Sequence, residues 1–159
     1  MLSLKSVEYS VGEFKLKADF KIPRLSKVAL IGPSGAGKST LLSLISGFLK
    51  PNSGSIIIDN EDVTTKLSNQ RRVTTIFQDG NLFPHLTVKK NISLGLRPDL
   101  RLNSAQQSVL DYAIDRVGLT DLVDRKPGSL SGGQQSRVSL ARALVRDCPL
   151  LLLDEPFSA

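Results

Sequence analysis

From Phe14 to Ile22 the chain alternates strictly: Phe14, Leu16, Ala18, Phe20 and Ile22 are separated by Lys15, Lys17, Asp19 and Lys21. That period of two predicts a strand with one wet face, in an antiparallel N-terminal portion. Val28 to Ile31 is apolar throughout and leads into Gly32-Pro33-Ser34-Gly35, the pattern of a strand buried on both faces. Leu41, Leu42, Leu44, Ile45 and Phe48 then recur at helical spacing over Lys38–Leu49, and Pro51-Asn52-Ser53-Gly54 supplies a turn. Ile56–Ile58 and the β-branched run Val73–Phe77 read as further strands. The stretch through Gly80, Pro84, Gly95 and Pro98 has no regular period and stays unassigned.

A capping box at Ser104 with Gln107, followed by the stripe Val109, Leu110, Ala113, Ile114 and Val117, predicts an amphipathic helix that stops at Gly118. A second helix is expected over Gln135–Arg146, after Ser131-Gly132-Gly133, and Leu150–Leu153 closes as a buried strand before Asp154-Glu155-Pro156. Strands interleaved with helices make an α/β protein with a mainly parallel core sheet.

Composition narrows the class. In 159 residues, 40% are apolar and 23% charged, which describes one globular domain. The single cysteine, Cys148, excludes an internal disulfide, and the longest apolar runs are far too short to span a bilayer. Met1–Ser10 lacks the apolar block of a secretory signal, so an intracellular chain is expected. The net charge of +6 comes from scattered lysines, without the dense block of a nucleic-acid or membrane patch.

Gly32-Pro33-Ser34-Gly35-Ala36-Gly37-Lys38-Ser39 fits G-x-x-x-x-G-K-[ST], between an expected strand and an expected helix. Glycines let successive amides face phosphate oxygens, and the helix start adds its positive dipole end. Lys38 then reaches the β- and γ-phosphates, and the Ser39 hydroxyl is a Mg²⁺ ligand. Such a P-loop enzyme needs a second metal ligand at the end of a buried strand, which Asp154 supplies after Leu150–Leu153, and Glu155 is placed to hold or deprotonate water.

Leu130-Ser131-Gly132-Gly133-Gln134 ends 20 residues before Asp154. Five specified residues arise by chance in roughly one chain per several thousand of this length, so an accidental helix cap is the weaker reading. With the P-loop, this run and the carboxylate strand in this order, the sequence resembles the ATP-binding subunits of ABC transporters along its whole length. The resemblance implies ATP and Mg²⁺ as cofactors. It implies a nucleotide-binding core over residues 1–78 and 148–159 and a helical signature subdomain over 79–147. By the same resemblance, Gly32 to Ser39 together with Thr40 would hold the nucleotide of one subunit, and Ser131, Gly132, Gly133 and Gln134 would face that of a second subunit in a head-to-tail homodimer.

Gln78 resembles the glutamine that contacts Mg²⁺ or the attacking water. Tyr9 resembles the aromatic stacked on adenine, with Val11 a competing alignment and Phe14 nearby. With Lys38, Gln78 and Glu155 form the expected catalytic set. His85 is expected in an exposed loop, because the family's switch histidine follows the carboxylate strand. Cys148 is expected as a packed residue. By the same resemblance the fold is incomplete at its C-terminus, lacking that histidine and the aspartate after Ser158-Ala159, so weak nucleotide binding or slow turnover is expected.

Phe77-Gln78-Asp79-Gly80-Asn81-Leu82-Phe83-Pro84-His85-Leu86-Thr87-Val88, Asn91-Ile92-Ser93-Leu94-Gly95-Leu96 and Leu100–Gln107 are similar to bacterial importer ATPases, those for thiamine first. The resemblance implies membrane permease subunits as partners, a periplasmic solute-binding protein acting indirectly, and a peripheral place on the cytoplasmic face of the inner membrane, with no nucleic acid expected. Import of iron, sulfate or polyamine, a soluble ABC ATPase acting on nucleic acid or ribosomes, and a hydrolysis-deficient remnant stay open as other readings.

Overall fold

The computed structural model describes residues 1–77 and 82–154. The element order is β1 (Leu2–Val11), β2 (Phe14–Ile22), α1 (Lys38–Ser46), β3 (Ser53–Ile58), β4 (Glu61–Asp62), β5 (Val73–Ile76), α2 (Val88–Ser93), α3 (Ser104–Arg116), α4 (Gly132–Leu144) and β6 (Leu150–Leu153). The described residues divide into two compact units, one of Met1–Thr74 with Cys148–Leu152, the other of the described residues from Thr75 to Asp147 with Leu153 and Asp154.

In the first unit an antiparallel sheet runs in the order β2-β1-β3-β4. On β2 every second residue is exposed and the alternate ones are half-buried, as the lysine alternation requires. β1 carries no clean period of two, because its alternation slips. Leu2 and Leu4 point inward, then a bulge between Leu4 and Val7 changes phase, so Val7 is buried in their place. Ser6 takes φ +46° there, and its amide and hydroxyl both donate to Asp19 Oδ2, at 2.9 and 3.0 Å. Gly54 faces the bulge on β3 at φ +84°, where a β-carbon would lie 2.3 Å from the Ser6 carbonyl oxygen.

Leu41, Leu44 and Ile45 place one face of α1 in a core with Leu2, Leu4, Val7, Ile56, Ile58 and Val63. The helix stops at Ser46, short of the Leu49 end that its apolar spacing suggested. Gly47 turns left-handed at φ +84°, and the Gly47 and Phe48 amides donate back to Leu44 O and Ser43 O at 3.3 and 2.9 Å. Val28–Ile31, expected as a buried strand, forms none. Val28 is 63% exposed and Ile31 91%. An apolar run becomes a buried strand only where neighbours accept its amides and carbonyls, and no described strand pairs with it. The other described sheet is the two-stranded β5–β6 pair.

The second unit is mostly helical, with Val88, Ile92, Leu110, Ile114, Leu119 and Val138 among its buried apolar residues. α2 occupies part of the unassigned stretch. Thr87 caps it, and the fully buried Asn91 anchors it: Oδ1 accepts from the Phe83 amide at 2.8 Å, while Nδ2 donates to the carbonyls of Phe83, Leu86 and Thr87, each at 3.1 Å. α3 begins where expected, but its box is set one residue earlier, on Asn103 and Gln106. Asparagine accepts the third helical amide as well as serine does, which leaves Ser104 inside the first turn. α4 starts three residues before Gln135 and ends at Leu144. Among the described residues no helix is long and apolar enough to cross a membrane.

Candidate functional site: a phosphate loop, a signature helix and a strand-end carboxylate

The glycine loop precedes α1 directly. Gly35 and Gly37 take φ +79° and +88°, a region that side chains disfavour, so the two glycines are required by the backbone path. The Ala36 amide donates to Pro33 O at 3.2 Å, closing the turn, and the Leu41 amide donates to Gly37 O at 2.9 Å, starting the helix. Lys38 folds back over the loop, with Nζ donating to Gly32 O at 2.9 Å and to Pro33 O at 2.8 Å. Its ammonium is thereby fixed as a positive charge inside the loop, at the helix end whose dipole also favours an anion. Gly32 to Ala36 and Ser39 are exposed, while Gly37, Lys38 and Thr40 are half-buried.

Of the three candidate residues for adenine, Tyr9 is half-buried and packs against the first unit's core, and Val11 is 61% exposed. Phe14 is the one seated against the loop. Its ring lies close enough to Gly37 that a β-carbon there would come within 2.8 Å of Cζ.

Ser131 sits at the N-cap of α4, so the signature residues form its first turn. The Gln134 amide donates to Ser131 Oγ at 3.3 Å, and the Ser131 amide donates to Gln134 Oε1 at 2.9 Å. Ser131, Gly132 and Gly133 are exposed, which leaves a helix start open to an anion. Gln135 ties this turn to the preceding loop, donating from Nε2 to Pro127 O and Leu130 O at 3.1 and 3.3 Å.

Asp154 follows β6 and is half-buried, and its amide donates to Ile76 O at 2.9 Å. Gln78 and Glu155 lie outside the described residues. Among the described residues no group of three His, Cys, Asp or Glu could hold a metal. The Ser39 hydroxyl and the Asp154 carboxylate are each, taken singly, oxygen donors of the kind Mg²⁺ accepts, since it takes one or two protein oxygens and completes its shell with phosphate oxygens and water. His85 is exposed, edge-on to Phe83 with ring centroids 6.0 Å apart, and Cys148 is half-buried.

One residue with a part in this geometry carries no sequence signal. Arg71, between Gln70 and Arg72, belongs to no motif, yet its guanidinium is buried at the far end of α1.

A lysine-bearing glycine loop at a helix start, on an antiparallel-plus-α/β scaffold with a capped Ser-Gly-Gly helix, defines a P-loop nucleotide-binding cassette. The chain belongs to the ABC transporter family, whose model matches residues 16–158. It is 52% identical over all 159 residues to the thiamine import ATP-binding protein ThiQ of Shigella sonnei, of which it covers 68%. It is 50% identical to the ThiQ of Yersinia pestis, covering 67% of that protein. The whole chain also superposes on the ATP-binding cassette MJ0796, solved as a dimer in a post-hydrolysis state bound to ADP and Pi. The TM-score is 0.84 at 32% identity, covering 75% of that chain. A second dimeric MJ0796 structure, described as a bacterial ABC transporter cassette, gives 0.82 at 33%.

Proposed function

We propose that the chain is the ATP-binding subunit of an ABC importer, with thiamine or its phosphate esters as the imported solute. The observation that carries the nucleotide reading is the loop: two left-handed glycines and a lysine pinned across their turn, at the start of α1. The solute is supported by about half identity, along the full chain, to importers named for thiamine.

In this reading Gly32 to Thr40 hold the ATP phosphates, with Lys38 on the β- and γ-phosphates. Ser39 and Asp154 hold Mg²⁺, which draws charge from the transferring phosphoryl group when bound. Gln78 helps set the water, and Glu155 draws its proton. Ser131, Gly132, Gly133 and Gln134 face the γ-phosphate of the partner's nucleotide, so ATP lies between two copies. MJ0796 supports this, as a cassette solved dimeric with ADP and Pi. Closure of the pair moves permease subunits at the cytoplasmic face of the inner membrane, and a periplasmic binding protein supplies the solute. Phe14 is a second candidate to meet adenine beside Tyr9, given its place against Gly37.

Calorimetric titration of Mg-ATP into the chain tests the reading. Saturable heat at one nucleotide per chain, abolished by Lys38→Ala, is expected; no heat from well-folded protein defeats it. The solute is tested by growth on limiting thiamine in cells whose own import ATPase is deleted. Failure to restore growth there by a permease-bound chain that releases phosphate from ATP excludes thiamine.

A further inference from the structure

Arg71 is 4% exposed, and it is an arginine buried against carbonyl oxygens. Nη1 donates to Leu44 O at 2.7 Å and Ile45 O at 2.9 Å, the terminal carbonyls of α1. On its other side Nε donates to Lys66 O at 2.9 Å and Nη2 to Thr64 O at 3.3 Å. One planar fork therefore ties the C-terminal end of α1 to the segment after β4, a geometry that an ammonium cannot reproduce. Gly47 is shaped around it: a β-carbon there would lie 2.5 Å from Arg71 Nε and 2.9 Å from Cζ.

A cation at a helix C-terminus opposes the negative dipole end, so it is favourable there despite the loss of water. Burial pushes the guanidinium's pKa down. The other end of this same nine-residue helix is the phosphate loop, with Lys38 as the first residue. A short rigid rod held at one end carries its other end to a fixed place, and phosphate recognition by loop amides depends on that place.

We propose that Arg71 is a positioning residue for nucleotide: by clamping the C-terminus of α1 it sets where the Gly32–Ser39 loop presents its amides and Lys38. The inference rests on the nucleotide reading above.

The test is calorimetry with Mg-ATP on wild type, Arg71→Met, Arg71→Lys and Gly47→Ala, each at a temperature where circular dichroism shows the wild-type helical signal. A purely structural role raises the apparent Kd only by the inverse of the folded fraction that circular dichroism reports, and leaves the intrinsic Kd alone. A positioning role raises the Kd itself. Arg71→Met is expected to weaken binding by roughly tenfold or more, and Arg71→Lys, which keeps the charge but not the fork, by roughly threefold. A folded Arg71→Met that binds within about twofold of wild type overturns the proposal. Should Arg71→Met not fold, Arg71→Lys and Gly47→Ala decide: an unchanged Kd in both overturns it, a raised Kd in either supports it. Wild-type chain that gives no heat brings down the nucleotide reading and this inference together, whereas wild-type binding with unaltered variants brings down this inference alone.

Discussion

The β-carbon that Gly37 lacks would sit 2.8 Å from Cζ of Phe14, so the aromatic ring on β2 and the left-handed helix start leave no room between them for a side chain. Leu16 Cδ1 stands nearly as close, at 3.1 Å. Gly37→Ala therefore meets two penalties, a φ of +88° and a steric one. Loss of about 1–3 kcal/mol in urea unfolding is expected, together with loss of nucleotide binding. Adding Phe14→Ala relieves the contact but not the dihedral, so the double variant is expected to recover only part of the stability.

Ser131 separates two roles on one side chain. As N-cap it accepts the Gln134 amide, and Ser131→Ala is expected to cost about 1 kcal/mol. Ser131→Asp caps equally well and is expected to unfold within about 0.5 kcal/mol of wild type. It also places a negative charge where the partner's γ-phosphate is proposed to lie, so it is expected to abolish ATP-driven dimerisation and turnover. Size-exclusion chromatography with ATP and phosphate release check the pair, and an Asp variant that still dimerises removes Ser131 from the interface.

How far the sequence was legible follows from what each signal needs. The phosphate loop is local, since glycine dihedrals are written in consecutive positions; the Ser131–Gln134 box is equally local, yet the helix expected from the sequence begins only at Gln135. β1 was not legible, because the Ser6 bulge, held by Asp19 and allowed by Gly54, is settled by residues on two other strands. α2 was hidden for a similar reason: its anchor, Asn91, is polar and looks like a surface residue until Phe83, Leu86 and Thr87 surround it. Val28–Ile31 erred in the other direction, since hydrophobicity was present and ladder partners were not. Arg71 is legible only in three dimensions.

Asp59 joins Arg24 and the chain's own amino group. Arg24 donates to it through Nε and Nη2 at 2.9 and 2.6 Å, and the Met1 ammonium lies 3.5 Å from Oδ1. The hydrogen bond and charge of Arg24 hold the carboxyl below its ordinary pKa, with the Met1 ammonium adding to the effect. A depressed folded-state pKa stabilises above the unfolded value and is lost as pH falls through the folded one. The melting-temperature gap between wild type and Asp59→Asn is therefore expected to be constant from neutral pH down to about pH 5 and to close below about pH 4. The gap is small, because the pair faces water, and differential scanning fluorimetry across that range shows whether it closes.

Asn91 gives the sharpest reading of the second unit. Its amide nitrogen faces three carbonyl oxygens at 3.1 Å, and its oxygen takes the Phe83 amide. Asn91→Asp keeps the shape but turns the donor end into an oxygen pointing at three oxygens, with a charge buried at 0% exposure. A loss of about 3 kcal/mol or more at neutral pH is expected, larger than for a typical surface change. The buried carboxyl has a raised folded-state pKa, so its penalty is present above that value and shrinks as pH falls and the acid takes a proton. Recovery stays partial, because one O–H replaces two N–H donors. Urea midpoints at pH 7 and pH 5 check both the size and the sign, and a variant whose deficit grows toward pH 5 contradicts the arrangement around Asn91.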